Sequence, residues 1–273
     1  MPTKEILVVK LGGADGVDFS AICQDAVEIQ ASGKQVVLVH GGSAEANALG
    51  EALDYPPRFI TSPSGYTSRY TDRRTLEIFA MSVNGKVNTL LVEQLQSLHI
   101  NAIGLSGMDG QLMVAKRKAA IRSIEDGKQR IIRDDYTGKI EKINTVLLRS
   151  LLDQGLMPVI APMAVSTNGE ALNVDADRAA AMIAAALQAD VLLLLTAVSG
   201  LMRSFPDEST LLKHLTAAQL DEALEFAQGR MKKKVLGAQE AIQGGVQKVI
   251  MADGRIMAPI SNALSGNGTT ITN

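Results

Sequence analysis

Glycine pairs follow two short apolar runs near the amino terminus, and a lysine stands two residues before the first pair. The run Ile6–Val9 leads into Lys10-Leu11-Gly12-Gly13, and the run Val36–Val39 leads into His40-Gly41-Gly42. Because glycine has no Cβ, its backbone N–H groups can approach an anion closely, and a lysine at the same edge adds a positive charge. Single glycine pairs also occur where a strand simply turns into a helix. Two pairs on adjacent strands, one with a lysine, favour phosphate binding.

Motifs for several other chemistries are missing from the sequence. There is no P-loop, no protein-kinase H-R-D or D-F-G motif, no G-x-S-x-G elbow and no G-x-G-x-x-G dinucleotide fingerprint. The three histidines, His40, His99 and His214, are dispersed, and Cys23 is the single cysteine. A disulfide within the chain and a cysteine-rich zinc site are therefore excluded, and no protein-bound metal is predicted.

The elements that would position these residues follow from the hydrophobic pattern. Strand-length apolar runs alternate with longer amphipathic segments, which is typical of βαβ units around a mainly parallel sheet. The predicted strands are Ile6–Val9, Val36–Val39, Asn101–Leu105, Pro158–Ala161, Val191–Leu195, Val246–Met251 and a short one after Gly266. The predicted helices are Asp18–Ala31, one that Ser43 can cap, one from Thr71 or Asp72 towards Leu98, Thr145–Gln154, Asn173–Leu187, Thr216–Ala227 and Met231–Ile242. Residues 54–70 are predicted to be loop, residues 111–143 to form hairpins, and both halves to share one sheet.

Composition excludes further classes of function. Of 273 residues, 46% are hydrophobic and 21% are charged, which is the profile of a globular enzyme. The net charge of −2 and an aromatic content of 3% argue against a nucleic-acid partner. The longest apolar run is far shorter than a bilayer span, and the first residues lack a signal-peptide pattern. We therefore expect a cytoplasmic protein with no membrane partner.

Five motifs fall in the order seen in the amino-acid kinase family. They are Lys10-Leu11-Gly12-Gly13, His40-Gly41-Gly42, Ser68-Arg69-Tyr70-Thr71-Asp72, Asn173-Val174-Asp175-Ala176-Asp177 and Met231-Lys232-Lys233-Lys234-Val235. The chain resembles this family, and most of all its acetylglutamate kinase branch, over essentially residues 1–273. The resemblance implies a three-layer αβα sandwich with an open, mainly parallel sheet. It also implies one domain, with an acceptor lobe at about residues 1–170 and an ATP lobe at about residues 171–273.

The resemblance further implies transfer of the γ-phosphoryl group of ATP, bound with Mg²⁺, to a carboxylate, which gives an acyl phosphate. A side-chain carboxylate is already ionised at pH 7, so this nucleophile needs no general base. By resemblance, Lys10 and Lys234 stabilise the transferring phosphoryl group and bind ATP, and Asp177 holds both ammonium groups. Gly12 and Gly13 are expected to bind the nucleotide phosphates.

The same resemblance assigns four residues to the acceptor. Gly41 and Gly42 are expected to donate N–H groups to the γ-phosphoryl group or the acceptor carboxylate. Arg69 is expected to grip the α-carboxylate, a task that suits its bidentate fork, and Asn173 to hydrogen-bond the substrate nearby. Structural alternatives stay open, since Asp175 and Asp177 also suit a helix amino terminus, and Lys232 and Lys233 a solvated helix face.

Other stretches resemble a narrower group of kinases. These act on 2-aminoadipate or glutamate whose amino group is blocked by a small acidic carrier protein, in lysine biosynthesis and also arginine or ornithine biosynthesis. The stretches are residues 40–45, 65–73, 105–110, 116–118, 136–138 and 229–232. Residues 116–133 hold seven basic and two acidic residues, a net charge of +5 in a chain of −2. Lys116, Arg117 and Lys118 are therefore predicted to dock the acidic carrier, unless this is a solvated hairpin face.

Two other functions remain open on the sequence. One is a kinase for free N-acetylglutamate, which would need no basic docking patch. The other is a catalytically silent amino-acid sensor, against which the combination of Lys10, Asp177 and Lys234 argues. The long helix from Asp72 has an apolar stripe that fits either a buried core helix or the interface of the expected homodimer.

Overall fold

The computed structural model describes residues 4–12, 19–63, 65, 67–125 and 128–273. Sixteen strands are found among these residues: β1 (Ile6–Leu11), β2 (Gln35–His40), β3 (Phe59–Thr61), β4 (Thr67–Arg69), β5 (Ala102–Ser106), β6 (Met113–Arg117), β7 (Ile121–Glu125), β8 (Lys128–Ile132), β9 (Gly138–Ile143), β10 (Met157–Ala161), β11 (Met163–Val165), β12 (Ala171–Asn173), β13 (Val191–Thr196), β14 (His214–Thr216), β15 (Lys248–Asp253) and β16 (Thr269–Thr272).

The α-helices of the same part of the chain are α1 (Phe19–Ala31), α2 (Ser43–Ala52), α3 (Arg73–Ala80), α4 (Thr89–Ser97), α5 (Thr145–Asp153), α6 (Ala176–Leu187), α7 (Leu220–Phe226), α8 (Gly229–Gln243) and α9 (Pro259–Leu264). Met81–Asn88 joins α3 to α4 as a π-helix, and short 3₁₀ turns lie at 109–111, 208–210 and 217–219. No helix in the described ranges is long and apolar enough to cross a membrane.

A single large sheet runs through both halves of the chain. Its strand order is β14-β16-β15-β13-β1-β2-β10-β5, and every pairing except β15 with β16 is parallel. Parallel strands need crossover connections, and the helices supply them on both faces of the sheet. The predicted α/β class with a mainly parallel sheet is confirmed.

The apolar side chains of the strands point alternately to the two faces of the large sheet, so the core has two halves, one on each face. On β1, Leu7, Val9 and Leu11 pack in a cluster with side chains of α1, α4 and α9. Val8 points the other way, into a second cluster with side chains of α5, α6 and α8. Successive side chains of a strand point to opposite faces, so the apolar β1 is covered on both sides. The three-layer αβα sandwich is therefore confirmed.

Two smaller four-stranded sheets contain the segments whose sequence predicted loop or hairpins. Their orders are β12-β11-β6-β9 and β4-β3-β7-β8. Residues 54–70, predicted as loop, contain β3 and β4, and the prediction was wrong there because β3 is three residues long and pairs with β7, far along the chain. Within 111–143, β7 and β8 form the expected hairpin, whereas β6 pairs with β9.

Several helices begin at other residues than predicted, because capping residues set their first turn. Helix α6 begins at Ala176, because the Asp175 side chain accepts the N–H of Asp177 and of Arg178, so Asn173 lies in β12 instead. Gly42, not Ser43, is the N-cap of α2. The helix predicted from Thr216 begins with a 3₁₀ turn that Thr216 and Gln219 cap.

Candidate active site

Lys10, Asp177 and Lys234 meet where β1 ends. Lys10 lies two residues beyond Val8, so its side chain faces α6 and α8. Asp177 is in the first turn of α6, and Lys234 is in α8. The Asp177 Oδ1 atom lies 2.9 Å from Nζ of Lys10 and 2.8 Å from Nζ of Lys234, which is also 3.1 Å from Oδ2. One carboxylate thus holds two ammonium groups side by side.

This cluster is almost out of contact with solvent: Lys10 is 6% exposed, Asp177 8% and Lys234 7%. Burial disfavours the ionised carboxyl of Asp177, but the two ammonium groups outweigh it and hold its pKa well below the usual range. Burial also lowers the pKa of Lys234, to about 8, since the Lys10 charge adds to the desolvation and Asp177 compensates only in part. The ionised cluster carries a net charge of +1, which suits an anion.

The glycine-rich end of β2 lies beside that of β1, since Leu11 pairs with His40. Gly42 caps α2, and the first N–H groups of a helix have no partner within it, so they can bind an anion. A Cβ at Gly42 would lie 2.6 Å from Cγ1 of Val83, so glycine is required for the close contact with the π-helix. Gly12 is buried directly after β1. Gly13 lies outside the described residues.

Arg69, the last residue of β4, contacts the first turns of α2. Its Nη2 atom donates to Oδ1 of Asn47 at 2.6 Å and to the carbonyl oxygen of Ser43 at 3.3 Å. Its guanidinium carbon lies 5.4 Å from the ring centroid of Phe59. Burial of the guanidinium lowers the pKa of Arg69. The structure therefore brings Arg69 next to the helix that Gly42 caps.

Asn173 lies four residues before Asp177 and contacts the segment that carries Arg69. Its Nδ2 atom donates to Oγ1 of Thr71 at 3.1 Å. Thr71 is held in turn by Asp135, which is 1% exposed and whose Oδ2 accepts the Thr71 N–H at 3.0 Å. Asn173 is thus linked through Thr71 to the segment that carries Arg69, and it lies four residues before Asp177 in the sequence.

The three residues predicted to dock a carrier do not share one environment. Lys116 and Lys118 are exposed, but Arg117 between them is half-buried. Arg117 donates to Oε1 of Glu170 at 2.7 Å and to the carbonyl oxygen of Asp135 at 3.0 Å, and its guanidinium stacks 3.8 Å from the ring centroid of Tyr136. Strand alternation turns Arg117 inwards, so the structure places only the two lysines on the surface.

The described residues fit a bound polyphosphate better than a metal held by the protein alone. Lys10, Lys234, Gly12 and the amino end of α2 supply positive charge and N–H donors. Both carboxylate oxygens of Asp177 are occupied by ammonium groups. Within the described ranges, no three His, Cys, Asp or Glu side chains are placed to hold a metal ion.

Sequence reasoning missed the residues that support the site from behind. His40 stands in the His40-Gly41-Gly42 motif but was assigned no role of its own, yet it is fully buried and contacts Asn88 of the π-helix. Asn47, which holds Arg69, lies on α2 without a distinctive motif. The one available signal was the position of His40, a polar residue at the end of an apolar strand and directly before the glycine pair.

Several known proteins are similar to this chain in sequence or in fold. Residues 5–253 match the amino acid kinase family. A "[LysW]-aminoadipate kinase" of Deinococcus radiodurans is 54% identical over 98% of this chain and 91% of its own, and that of Thermus thermophilus is 48% identical over 97% and 100%. An N-acetylglutamate synthase of Neisseria gonorrhoeae, solved with coenzyme A and N-acetyl-glutamate, superposes with a TM-score of 0.80 at 26% identity, covering 98% of this chain and 59% of that one.

The three-layer αβα fold, the family match and the kinases at 54% and 48% identity together identify an enzyme of the amino-acid kinase class. The chain belongs to the amino acid kinase family. Its expected resemblance to that family is confirmed, and family membership implies ATP as the phosphoryl donor. The alternative of a silent amino-acid sensor does not hold.

Proposed function

We propose that this kinase phosphorylates the side-chain carboxylate of 2-aminoadipate while the amino group of the substrate is attached to a carrier protein of the LysW type. The buried cluster of Lys10, Asp177 and Lys234 carries the proposal, because it supplies the charge that phosphoryl transfer between two anions requires. The names of relatives at 54% and 48% identity support the choice of acceptor. Carrier-linked glutamate is a second acceptor of the same chemistry.

In the proposed reaction, Lys10 and Lys234 stabilise the charge that develops on the transferring phosphoryl group. Asp177 is a positioning residue, since both its oxygens hold the two ammonium groups. Mg²⁺ would enter with the phosphates of ATP, which bind it, and would neutralise part of their charge. Gly12 and Gly13 would bind the nucleotide phosphates, and the Gly41–Gly42 N–H groups the γ-phosphoryl group.

Arg69 is proposed to bind the α-carboxylate of the acceptor. Its Nη2 atom is already engaged by Asn47 and by the carbonyl oxygen of Ser43, and its Nε and Nη1 atoms remain as donors to a carboxylate. Asn173, whose Nδ2 atom donates to Thr71, would hydrogen-bond the acceptor near Arg69. A blocked amino group removes the positive charge of the substrate, so the acceptor reaches the site as an anion.

Docking of an acidic carrier is proposed for Lys116, Lys118 and the hairpin of β7 and β8. The hairpin and the residues that flank it expose Arg122, Lys128 and Arg133. Ile131, 59% exposed, gives this basic surface an apolar centre. Arg117 is left out, because its guanidinium is paired with Glu170 and stacked on Tyr136.

Three further properties remain proposals. An acceptor lobe at about residues 1–170 and an ATP lobe at about residues 171–273 would each supply one substrate. The kinase would act in the cytoplasm. It would form a homodimer, for which Met81 and Leu90, about half exposed along the long helix, are candidate contacts. Light scattering on the purified protein measures the mass that tests the last point.

The test of the function is ATP turnover with three acceptors, measured as acyl phosphate trapped with hydroxylamine. Carrier-linked aminoadipate should give the highest kcat/KM, carrier-linked glutamate should be used less well, and free N-acetylglutamate should give almost no product. The Lys10→Ala variant, assayed in parallel, controls for a contaminating kinase. Equal or better turnover of free N-acetylglutamate would contradict the proposal.

A further inference from the structure

A buried polar pair lies behind the glycine-rich end of β2, and the proposed chemistry does not use it. His40 is 0% exposed and Asn88 is 6% exposed. The Nε2 atom of His40 lies 3.0 Å from Nδ2 of Asn88, and the same Nδ2 lies 2.9 Å from the carbonyl oxygen of Val159. The other ring nitrogen, Nδ1, lies 2.6 Å from the carbonyl oxygen of Gly41.

These contacts determine which ring nitrogen carries the proton. The Asn88 amide must direct its NH₂ group towards the Val159 carbonyl, since the opposite orientation would set two oxygens against each other. The second hydrogen of that NH₂ group is then donated to Nε2 of His40, which must accept. The proton therefore lies on Nδ1, which donates to Gly41. Burial lowers the pKa of His40 to about 4, so the ring is neutral at pH 7.

The neighbouring strand is adapted to this amide group. An added Cβ at Gly104 in β5 would lie 2.1 Å from Oδ1 of Asn88, a distance that real Cβ atoms do not adopt. Any larger residue at Gly104 would push the Asn88 side chain away from His40. Gly104 thus leaves the space that the Asn88 side chain needs to reach His40, and it lies on a different strand from the glycines of the proposed phosphate site.

From this arrangement we infer that His40 and Asn88 are positioning residues that orient the Gly41–Gly42 peptide for phosphoryl transfer. In a trans peptide the C=O and the following N–H point in opposite directions. His40 faces the same side of the sheet as Leu38, towards α4, and Lys10 faces the opposite side. The anchored Gly41 carbonyl therefore turns the Gly42 N–H away from α4, towards the side on which Lys10, Asp177 and Lys234 lie.

The inference rests on the proposed function and explains what keeps the Gly41–Gly42 peptide in one orientation. Glycine backbones can rotate with little steric penalty, so the peptide needs an external anchor. If the peptide turned over, the carbonyl oxygen would face the anion in place of an N–H donor. Loss of one preorganised donor lowers kcat by about 10²–10³-fold in acyl-transfer enzymes, which sets the scale of the effect.

The kinetic test compares two substitutions at His40. His40→Asn keeps an N–H donor near the position of Nδ1, and His40→Leu fills similar space without one. We expect His40→Leu to lower kcat at least about tenfold with KM for ATP nearly unchanged, and His40→Asn to recover most of that loss. Both variants are assayed well below their Tm, and rates are divided by the concentration of ATP-binding sites. Equal losses in the two variants, or wild-type kcat in His40→Leu, would overturn the inference.

A measurement on the unaltered protein needs neither folding of a variant nor turnover. The ¹⁵N shifts of the His40 ring distinguish a protonated Nδ1 from a protonated Nε2, and only His99 and His214, both exposed, share that spectral region. We expect the Nδ1–H tautomer for His40. The Nε2–H tautomer would overturn the inference even if the enzyme used carrier-linked aminoadipate. Conversely, failure of the acceptor assay would leave this spectroscopic result unaffected.

Discussion

At the scale of residues, two lysines share one buried carboxylate. Burial of an ion pair costs desolvation free energy that a single partner barely recovers, and here a second ammonium group is added at 2.8–2.9 Å. The surplus charge is unfavourable until an anion arrives. A cluster of this kind is therefore better explained by binding of a polyphosphate than by stability of the fold.

Lys10→Ala and Lys234→Ala should each lower kcat by about 100-fold or more, the scale of losing one preorganised charge in a transition state. Steady-state kinetics with carrier-linked aminoadipate measures the loss, and circular dichroism checks the fold. Lys233→Ala is the matched control, since Lys233 is adjacent to Lys234 in α8 and its Nζ atom lies 3.9 Å from Oδ2 of Asp175. Near-wild-type turnover of Lys10→Ala or Lys234→Ala would remove that lysine from the mechanism.

The pH dependence of kcat/KM for ATP should show a falling limb above about pH 8. The pKa of Lys234 is lowered from 10.5 to about 8, so the free enzyme loses this proton, and with it the positive charge, as the pH rises through 8. Saturating ATP should displace the limb to higher pH, because bound phosphates favour the ammonium form. In Lys234→Arg the limb should disappear. A wild-type profile that is flat up to pH 10 would contradict this assignment.

The residues that touch reacting groups could be found from the sequence, but those that support them could not. Lys10, Arg69 and Lys234 stand in motifs of recognisable order, and their residue types match the chemistry. Residues that act through contacts between distant elements do not form a recognisable motif in the sequence. Asn88 lies 48 residues from His40 in the sequence, and nothing in its local context indicates that the two side chains meet.

At the scale of elements, the glycine-rich end of β2 is fitted between α2 and the π-helix. Val83 approaches Gly42 from Met81–Asn88, and Asn88 at the end of the same segment reaches His40. π-Helical turns are rare and often lie at functional sites. Here the wide turns let one helix contact both the glycine backbone and the residue behind it.

Gly42→Ala should lower the free energy of unfolding by about 1–3 kcal/mol, because its Cβ would lie 2.6 Å from Cγ1 of Val83. Thermal unfolding measures the change. Combining it with Val83→Ala should relieve the overlap, so the double variant should lose less than the two single variants together. Gly85→Ala, in the same segment but with open space around it, is the control. Additive losses would show that Val83 does not clash.

Long elements were predictable from periodicity, whereas short ones were not. The apolar strands and the helices α1, α5 and α8 were found at nearly their observed positions. Strands β3, β4, β11 and β12 have three residues each, too few for alternation to be visible. The strands that join these two pairs to their sheets, β7 beside β3 and β6 beside β11, lie far along the chain. Asp175 also illustrates the limit: its residue type suits a helix amino terminus, but only its contacts show that it caps α6 and that the helix begins at Ala176 rather than at Asn173.

At the scale of the whole molecule, charge is distributed unevenly. The chain has a net charge of −2, but residues 116–133 carry +5. A basic surface on a nearly neutral protein attracts an acidic partner and orients its approach. Because Arg117 is internally paired, the charges available for this are those of the exposed lysines and the hairpin.

Lys116→Ala combined with Lys118→Ala should slow association of the acidic carrier by about tenfold at low salt, since rim charges act chiefly on the association rate. Raising the ionic strength to about 0.5 M should slow the wild-type protein much more than the variant. Stopped-flow binding measures both effects. Lys213→Ala with Lys248→Ala removes equal charge from the β14–β15 side of the sheet and should leave association unchanged. If the variant that lacks Lys116 and Lys118 associated at the wild-type rate and with the wild-type salt dependence, these lysines would belong to a solvated face and would not dock the carrier.

The π-helix also has a consequence for insertions and deletions. Each residue of an α-helix turns the chain by about 100°, whereas the i→i+5 bonds of a π-helix place more residues in each turn. Deleting exposed Gly85 and closing the wide turns into an ordinary helix would therefore remove a residue without rotating the following helix by a full step. Leu91 and Leu95, both buried in the core beneath the sheet, would stay close to their present faces. A one-residue deletion inside α4 would instead turn the rest of that helix by about 100°. The wide turns thus make Met81–Asn88 the part of this long helix that can lose a residue while the buried face after it is kept.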